Sequence, residues 1–494
     1  MLKNPPDIAR SAATLLGLST LLAVLTGCAN VAPASHLPDI TQRSGVAQQL
    51  TPAAAAAGLQ LGVPSRSWWQ DLADPRLNTL MDLAMAGNHV RLAALAAVKE
   101  ARAMAGVAER ASLPQGSLSA QVQRQRASIA EVDPYQQGLP RPPEQSLASV
   151  GQMVSWELDL FGRLGTASAV AERQADAARA EAHAATALLQ AEVVRQYVRL
   201  RLHQQELLQL DQELTALGQR QTQMQARVAA GLADQREALA VTAELAQLRA
   251  QQAQTQALTH VTAAALATLA GRAPTQTDAT WQALLAVADL PAVPGSAGLV
   301  QPNDLLANRP DVARADALLR ASLGNVVLAE RAHLPRLSLN LNVGANALAG
   351  KLGSAGALRY AAGPVLQWDW LDMGRIQAQA AAAQAGSERA WHGLEQTVLK
   401  ALEDSESALR GWVAAQLMLQ RAQQAEQAAR ATAQYSGVRA RAGLEPGSLA
   451  QDHWVQQLRA QRATLVAQAT AIESFSQVQL ALGAWQPEEV VSLR

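Results

Sequence analysis

The chain has one cysteine, Cys28, in 494 residues, and only 3% of its residues are aromatic. A lone thiol permits no disulfide within the chain, and scarce aromatics leave any core to smaller fillers. Charge of one sign is also missing. Basic and acidic side chains number 41 each, so no polyanionic partner is implied and nothing points to nucleic acid. Beyond residue 25, no segment offers about 18 uninterrupted apolar residues, so no transmembrane helix is expected there. The other way to cross lipid is a closed barrel, which also satisfies every backbone amide. Signs of catalysis are absent too. His36, His89, His183, His203, His260, His333, His392 and His453 are scattered, with no two four residues apart to grip a metal on one helix face. No glycine loop precedes a Lys-Ser/Thr pair to cradle phosphate. We therefore expect no nucleophile, no cofactor and no metal, and a protein that is not an enzyme.

What is present is helix-forming. Apolar residues make up 49% of the chain, and many of them are alanine, which favours helix but fills little volume. Residues 166–217 contain neither glycine nor proline, and 365–445 contain no proline. At the start, Lys3 and Arg10 precede an apolar run from Ser11 to Leu25, too short to span a bilayer, which reads as an export signal over 1–27. The run ends in Leu25-Thr26-Gly27-Cys28, which resembles the lipobox of bacterial lipoproteins. The resemblance implies cleavage before Cys28 and lipidation of that residue, with 28–66 as a lipidated linker. Ala29 is not the aspartate associated with inner-membrane retention, so the outer membrane is the implied destination.

The sequence is written twice. Gly151, Trp156, Gly162 and Arg163 recur as Gly363, Trp368, Gly374 and Arg375, with the same displacement for all four. The segment from Glu109 to Pro114 matches that from Glu330 to Pro335 at a slightly larger displacement, and Ala230-Gly231-Leu232 matches Ala442-Gly443-Leu444. Each copy begins with a helix whose apolar residues fall at three- and four-residue spacing: Leu77, Leu80, Met81 and Ala84, then Leu305, Leu306, Val312 and Leu318. It ends at a Leu-Pro pair. An alternating strand follows (Leu118, Ala120, Val122; Leu337, Leu339, Leu341, Val343), then a loop, about 128–145 or 346–359, then a returning strand. After Gly-Arg the chain is helical from 164 to about 229, roughly 100 Å at the α-helical rise. A turn at Gly231 or Gly443 sends a second helix back. The expected divisions are a first repeat at 67–270 with its hairpin at about 115–160, a linker at 271–302, a second repeat at 303–485 with its hairpin at about 335–372, and a tail at 486–494. Asn308 and Pro310 are placed to start the second repeat's first helix.

Four strands cannot close a membrane barrel; three chains would supply twelve and two would supply eight. One strand face is Val, Leu and Trp, fit for lipid, and the other carries Glu157, Asp159 and Asp369, expected to face a wet lumen. A soluble sandwich has the same alternation and stays open on pattern alone. "SWELDLFGR", "ANRPDV" at 307–312, "SWWQDLADPRLNTLMDLAMAGN" at 67–88 and "LGAW" at 482–485 resemble the TolC-like outer membrane efflux lipoproteins of the NodT type, from about Trp68 to Trp485. The resemblance implies a mainly α fold with a small β part, a TolC-like α/β barrel. Its homotrimer shares a twelve-stranded β-barrel, a twelve-helix periplasmic barrel and an equatorial belt formed by linker and termini. It also implies a passive duct, lipid-anchored in the outer membrane, that docks onto a periplasmic membrane-fusion adaptor and an inner-membrane pump, often of the resistance-nodulation-division type.

By the same resemblance a periplasmic gate follows the second helix turn, with an acid nine residues after the turn glycine. Counting from Gly443 reaches Asp452, followed by His453-Trp454 where the family has Ala-Gln; Leu449, a turn earlier, is the candidate apolar plug. Three Asp452 carboxylates around one axis would favour cation passage; a solvated helix residue is the alternative. Gly162-Arg163 and Gly374-Arg375 read as strand-to-helix turns in which glycine allows the bend and arginine reaches carboxylates or carbonyls. Trp156 and Trp368 fit a membrane-interface belt, with core packing as the other reading. Two further functions remain open: a non-conducting envelope scaffold and a protein-secretion duct of the same fold.

Overall fold

The computed structural model describes residues 67–132, 143–276, 278–294 and 309–482, residues 135, 138 and 140, and short strands at 60–61 and 298–299. Cys28, the export signal, Asn308 and residues 483–485 of the terminal motif lie outside the described residues. In chain order the elements are β1 (Gln60–Leu61), a 3-10 turn (Trp68–Leu72), α1 (Pro75–Gly87), α2 (His89–Arg110), β2 (Gln115–Gln125), α3 (Ile129–Val132), β3 (Gln145–Leu158), α4 (Arg163–Ala229) and α5 (Gln235–Leu269). The order continues with α6 (Ala279–Leu285), β4 (Gly298–Leu299), α7 (Pro310–Glu330), β5 (Arg336–Leu348), β6 (Leu358–Gln367), α8 (Met373–Arg441) and α9 (Gly447–Ala481). Helices α4 and α8 run for 67 and 69 residues, each about 100 Å at the α-helical rise, on sequences dominated by Ala, Gln, Leu, Arg and Glu.

The chain divides into two compact units. The described part of one lies within 100–176 and 317–392, and it contains the sheet. The order is β2-β3-β5-β6, antiparallel throughout, so the two repeat hairpins join through β3 and β5 into one four-stranded sheet. Its outer strands β2 and β6 are exposed along their whole length and, among the described residues, have a neighbour on one side only.

The described part of the other unit lies within 39–99, 177–316 and 393–494. Its core explains the tryptophan-rich motif near residue 68. Trp68 packs edge-on against Phe475 with ring centroids 5.9 Å apart, and Trp412 packs against the same ring at 5.7 Å. Asp74 caps α1, accepting from the Arg76 and Leu77 amides at 2.8 and 3.3 Å, and Pro75 fills the first helical position. The same carboxylate accepts the Tyr197 hydroxyl at 2.5 Å. Burial, then this bond, pushes the Tyr197 phenol far above its ordinary value. Strands β1 and β4 pair in parallel, which joins the segment before the first repeat to the linker between repeats.

The helix expected to run unbroken from Leu77 to the first Leu-Pro pair is instead two, α1 and α2, parted at Asn88. Asn88 serves both ends: its backbone N–H closes α1 onto Ala84 and its side-chain oxygen accepts the Arg91 amide at 3.0 Å. Its amide nitrogen donates to Leu269 at the end of α5, at 3.0 Å. The break thus fixes one repeat's first helix to its last.

His183, on α4 outside the strands, has its imidazole pulled down from 6.5 to about 4, by burial first and then by the Arg179 charge. Below pH 6.5 the unfolded chain therefore binds a proton that the folded one refuses, so this site's stability is intact above 6.5 and falls progressively as pH drops towards 4. His183→Gln is expected to flatten that part of the profile, read as the difference in urea midpoint between the two proteins from about pH 7 to about pH 4.5. An equal pH slope in both would contradict the assignment.

Candidate functional site

Gly162 lies at φ +68°, the left-handed conformation that glycine adopts without penalty, and makes the bend between β3 and α4. Strand β3 ends at Leu158, before the apolar alternation in the sequence has run out at Leu160. Asp159, read as a lumen-facing strand residue, lies beyond it and caps α4, accepting the Leu164 and Gly165 amides at 3.0 and 2.8 Å. A cap of this kind stabilises a helix by about 1 kcal/mol. Glu157 is held by Arg163 in a two-pronged pair at 3.1 and 2.7 Å. Arg331, in the second repeat, donates to the Phe161 carbonyl at 2.9 Å and so ties the repeats together at this bend.

The second junction is built differently despite its matching Gly-Arg. Gly374 lies inside α8 rather than at a bend, and is not among the glycines at positive φ. The turn is made by a 3-10 segment, Trp370–Asp372. Leu371 stands where the first copy has Asp159, so no equivalent carboxylate caps the helix. Arg375 pairs with Asp372 at 2.8 Å, and Asp369 with Arg336 at 3.4 Å.

The two tryptophans do the same work in both copies. Trp156 Nε1 donates to the Ser112 carbonyl at 2.9 Å and Trp368 Nε1 to the His333 carbonyl at 3.0 Å. Each acceptor lies just before the Leu-Pro pair of its repeat. The indole N–H thus holds the chain where helix gives way to strand, while both rings stay exposed.

In the other unit the two long hairpins turn on the same motif. Gly231 and Gly443 lie at φ +71° and +70°, and the amides of Leu232 and Leu444 reach back to Arg227 and Arg439 at 2.8 and 2.9 Å. Both leucines are exposed. Near the start of α9, Asp452 accepts from Arg220 of α4 at 2.8 Å; Leu449 is exposed on the same helix. Further ion pairs join the same helices. Glu213, fully buried, takes Arg459 at 2.7 Å and Arg462 at 2.5 Å, and Glu473 takes Arg199 at 2.8 Å. From Arg220 to Glu213 is one heptad and from Glu213 to Arg199 two more; their partners Asp452, Arg459 and Glu473 keep the same steps with numbering reversed. Whole heptads between contacts are the signature of supercoiled helices, here antiparallel.

The "RPDV" motif is structural. Arg309 is buried, donates to the Ala481 carbonyl at the end of α9 at 2.7 Å, and pairs with Asp311 at 2.7 Å. It stands where the first repeat has Asn88, and it makes the same tie between first and last helices of its repeat. Sequence reasoning missed Arg220, Glu213, Arg331 and this role of Arg309.

Helical hairpins this long, together with a sheet open at both edges among the described residues, define a TolC-like outer membrane channel subunit. A model of the outer membrane efflux protein family matches residues 80–272 and 301–484, and the chain belongs to that family. It is 30% identical over 399 residues to the fusaric acid resistance protein FusA of Burkholderia cepacia, covering 78% of this chain and 71% of that one. It is 28% identical over 490 residues to outer membrane protein OprJ of Pseudomonas aeruginosa, covering 94% of each. Among solved structures it superimposes on the outer-membrane channel OprN with a TM-score of 0.77 at 28% identity, over 88% of this chain and 96% of that one. The protein is an outer membrane channel of an efflux system; its family and fold are those of channels rather than enzymes. Among the described residues no cluster of metal-binding side chains and no helix long and apolar enough to cross a membrane occurs.

Proposed function

We propose that three copies close one twelve-stranded barrel in the outer membrane, continued by a periplasmic duct of the helices of both repeats, 67–270 and 303–485. The observation that supports this is the four-stranded sheet, both edges of which are unpaired among the described residues. Exposed edges invite aggregation unless covered, and ring closure removes them. Cys28 carries the lipid anchor. Asp452 and Leu449 form the constriction at the hairpin end of the duct, with Arg220 holding Asp452 in the closed state. Glu157 and Asp369 contribute charge near the lumen, and Trp156 and Trp368 lie at the lipid boundary. Exposed Leu232 and Leu444 offer apolar contacts to a periplasmic membrane-fusion adaptor, and an inner-membrane pump, of resistance-nodulation-division type, supplies the energy. The cargo is small molecules such as drugs, toxic compounds or metal ions; a relative named for fusaric acid resistance favours this over protein cargo.

Native mass spectrometry of the detergent-solubilised protein tests the assembly. Three chains per particle are expected, each heavier by its lipid in wild type and not in Cys28→Ser. A monomer or dimer overturns the barrel, and an unmodified wild-type mass overturns the anchor.

A further inference from the structure

The repeat that built the chain also fixes how one copy meets the next. In the first hairpin Gln115 lies opposite Ser155, and in the second Arg336 lies opposite Gln367. Gln115 and Arg336 are displaced by the same interval as the matching blocks that begin at Glu109 and Glu330, and Ser155 and Gln367 by that of Gly151 and Gly363. The two hairpins therefore share one register. The equal bonds from Trp156 and Trp368 show that both emerge from the same local frame. Among the described residues there is one seam between hairpins, β3 to β5, in which Trp156 faces Leu339 and Ser155 faces Asn340. Its counterpart would join β6 to β2, strands that end the sheet on opposite sides.

Resting on the trimer reading, we infer that β6 of one copy pairs antiparallel with β2 of the next in the register of the internal seam, with Trp368 facing Leu118, Gln367 facing Ser119 and Leu366 facing Ala120. The side chains show the missing neighbour. Leu339 is 40% exposed in the internal seam while its equivalent Leu118 is 77% exposed, and Trp156 is 39% exposed against 56% for Trp368. The register keeps faces matched: Leu118, Ala120, Leu366 and Trp368 continue the apolar face, and Ser119 meets Gln367 as Ser155 meets Asn340, whose side chains bond at 2.7 Å. A slip by a single position would set Gln367 against Leu118 and exchange the faces, so only even slips compete.

Cysteine pairs decide the register. Ser119→Cys with Gln367→Cys in the full-length protein is expected to oxidise to a covalent ladder ending at three chains, since the predicted pair falls within disulfide reach. Ser155→Cys with Asn340→Cys, the internal control, is expected to oxidise without leaving the single-chain band. Single-cysteine variants control for Cys28. Slipped pairs, Ser117→Cys or Gln121→Cys with Gln367→Cys, are expected to give several-fold less ladder. A ladder stronger from either slipped pair, or none from all three while native mass shows a trimer, overturns the register. A monomer in the same mass measurement overturns the trimer reading instead.

Discussion

Gly271→Ala is expected to remove about 3–5 kcal/mol from the helical unit and to leave little folded protein, more than any surface change would do. Gly271 ends α5 at φ +71°, its amide bonding Thr268 and the next amide, of Arg272, bonding Ala267 at 2.8 Å. A side chain there costs about 1–2 kcal/mol for the left-handed backbone alone. Space costs more. The new Cβ would lie 2.1 Å from the Gly87 carbonyl oxygen and 2.7 Å from its carbon, both backbone atoms that no rotamer change can move. Separating the two backbones also strains the bond from Asn88 to Leu269. Gly218→Ala is the control: it lies inside α4 with nothing within 4 Å of the added carbon, and alanine there should stabilise by about 0.5–1 kcal/mol. Urea midpoints of the solubilised proteins compare them; equal midpoints would contradict the close packing of Gly87 on Gly271.

Arg220→Ala is expected to raise leakage through the resting duct by roughly tenfold or more, with folding little changed. The pair with Asp452 is partly exposed, at 34% and 42%, so in the proposed trimer each copy would contribute about 0.5–1 kcal/mol to the closed arrangement. Three copies opening together add to about 1.5–3 kcal/mol, or about 10- to 100-fold in the ratio of open to closed states. Asp452→Asn should leak similarly yet lose preference for cations, because it removes the charge as well as the pair. Dye release from proteoliposomes measures the leak. No increase in either variant would remove Asp452 from the gate. Glu213 should behave differently: it is wholly buried and takes two arginines, so Glu213→Ala removes its ion pair with the largely buried Arg462, leaves Arg459 only its pair with Glu244, and destabilises the helices rather than opening them.

Much of the fold was legible because its signals are periodic. The long helices followed from a run without Gly or Pro at 166–217 and one without Pro at 365–445, and the hairpins from an alternation that the second repeat carries again at Gly363–Arg375. What escaped was set by contacts distant in sequence. The break at Asn88 depends on Leu269 and on the close approach of Gly87 to Gly271, and neither leaves a local signal. Asp159 continues the strand's alternation in sequence, yet capping the adjacent helix end draws it out of the strand. Gly374 precedes an arginine as Gly162 does, but it has no capping aspartate at the equivalent place before it, and the turn forms earlier, at Trp370–Asp372. Arg220 and Asp452 are 232 residues apart; only the heptad register of α4 on α9 unites them.

The central claim, that copies of this chain enclose a gated aqueous duct, is tested most directly by single-channel recording of the purified full-length protein in a planar bilayer. Wild type should give discrete, rare, cation-preferring steps, and Arg220→Ala should give steps of similar size that are open about tenfold more often or longer. A trimer that inserts yet conducts in neither form would contradict the duct and favour a structural role for the assembly.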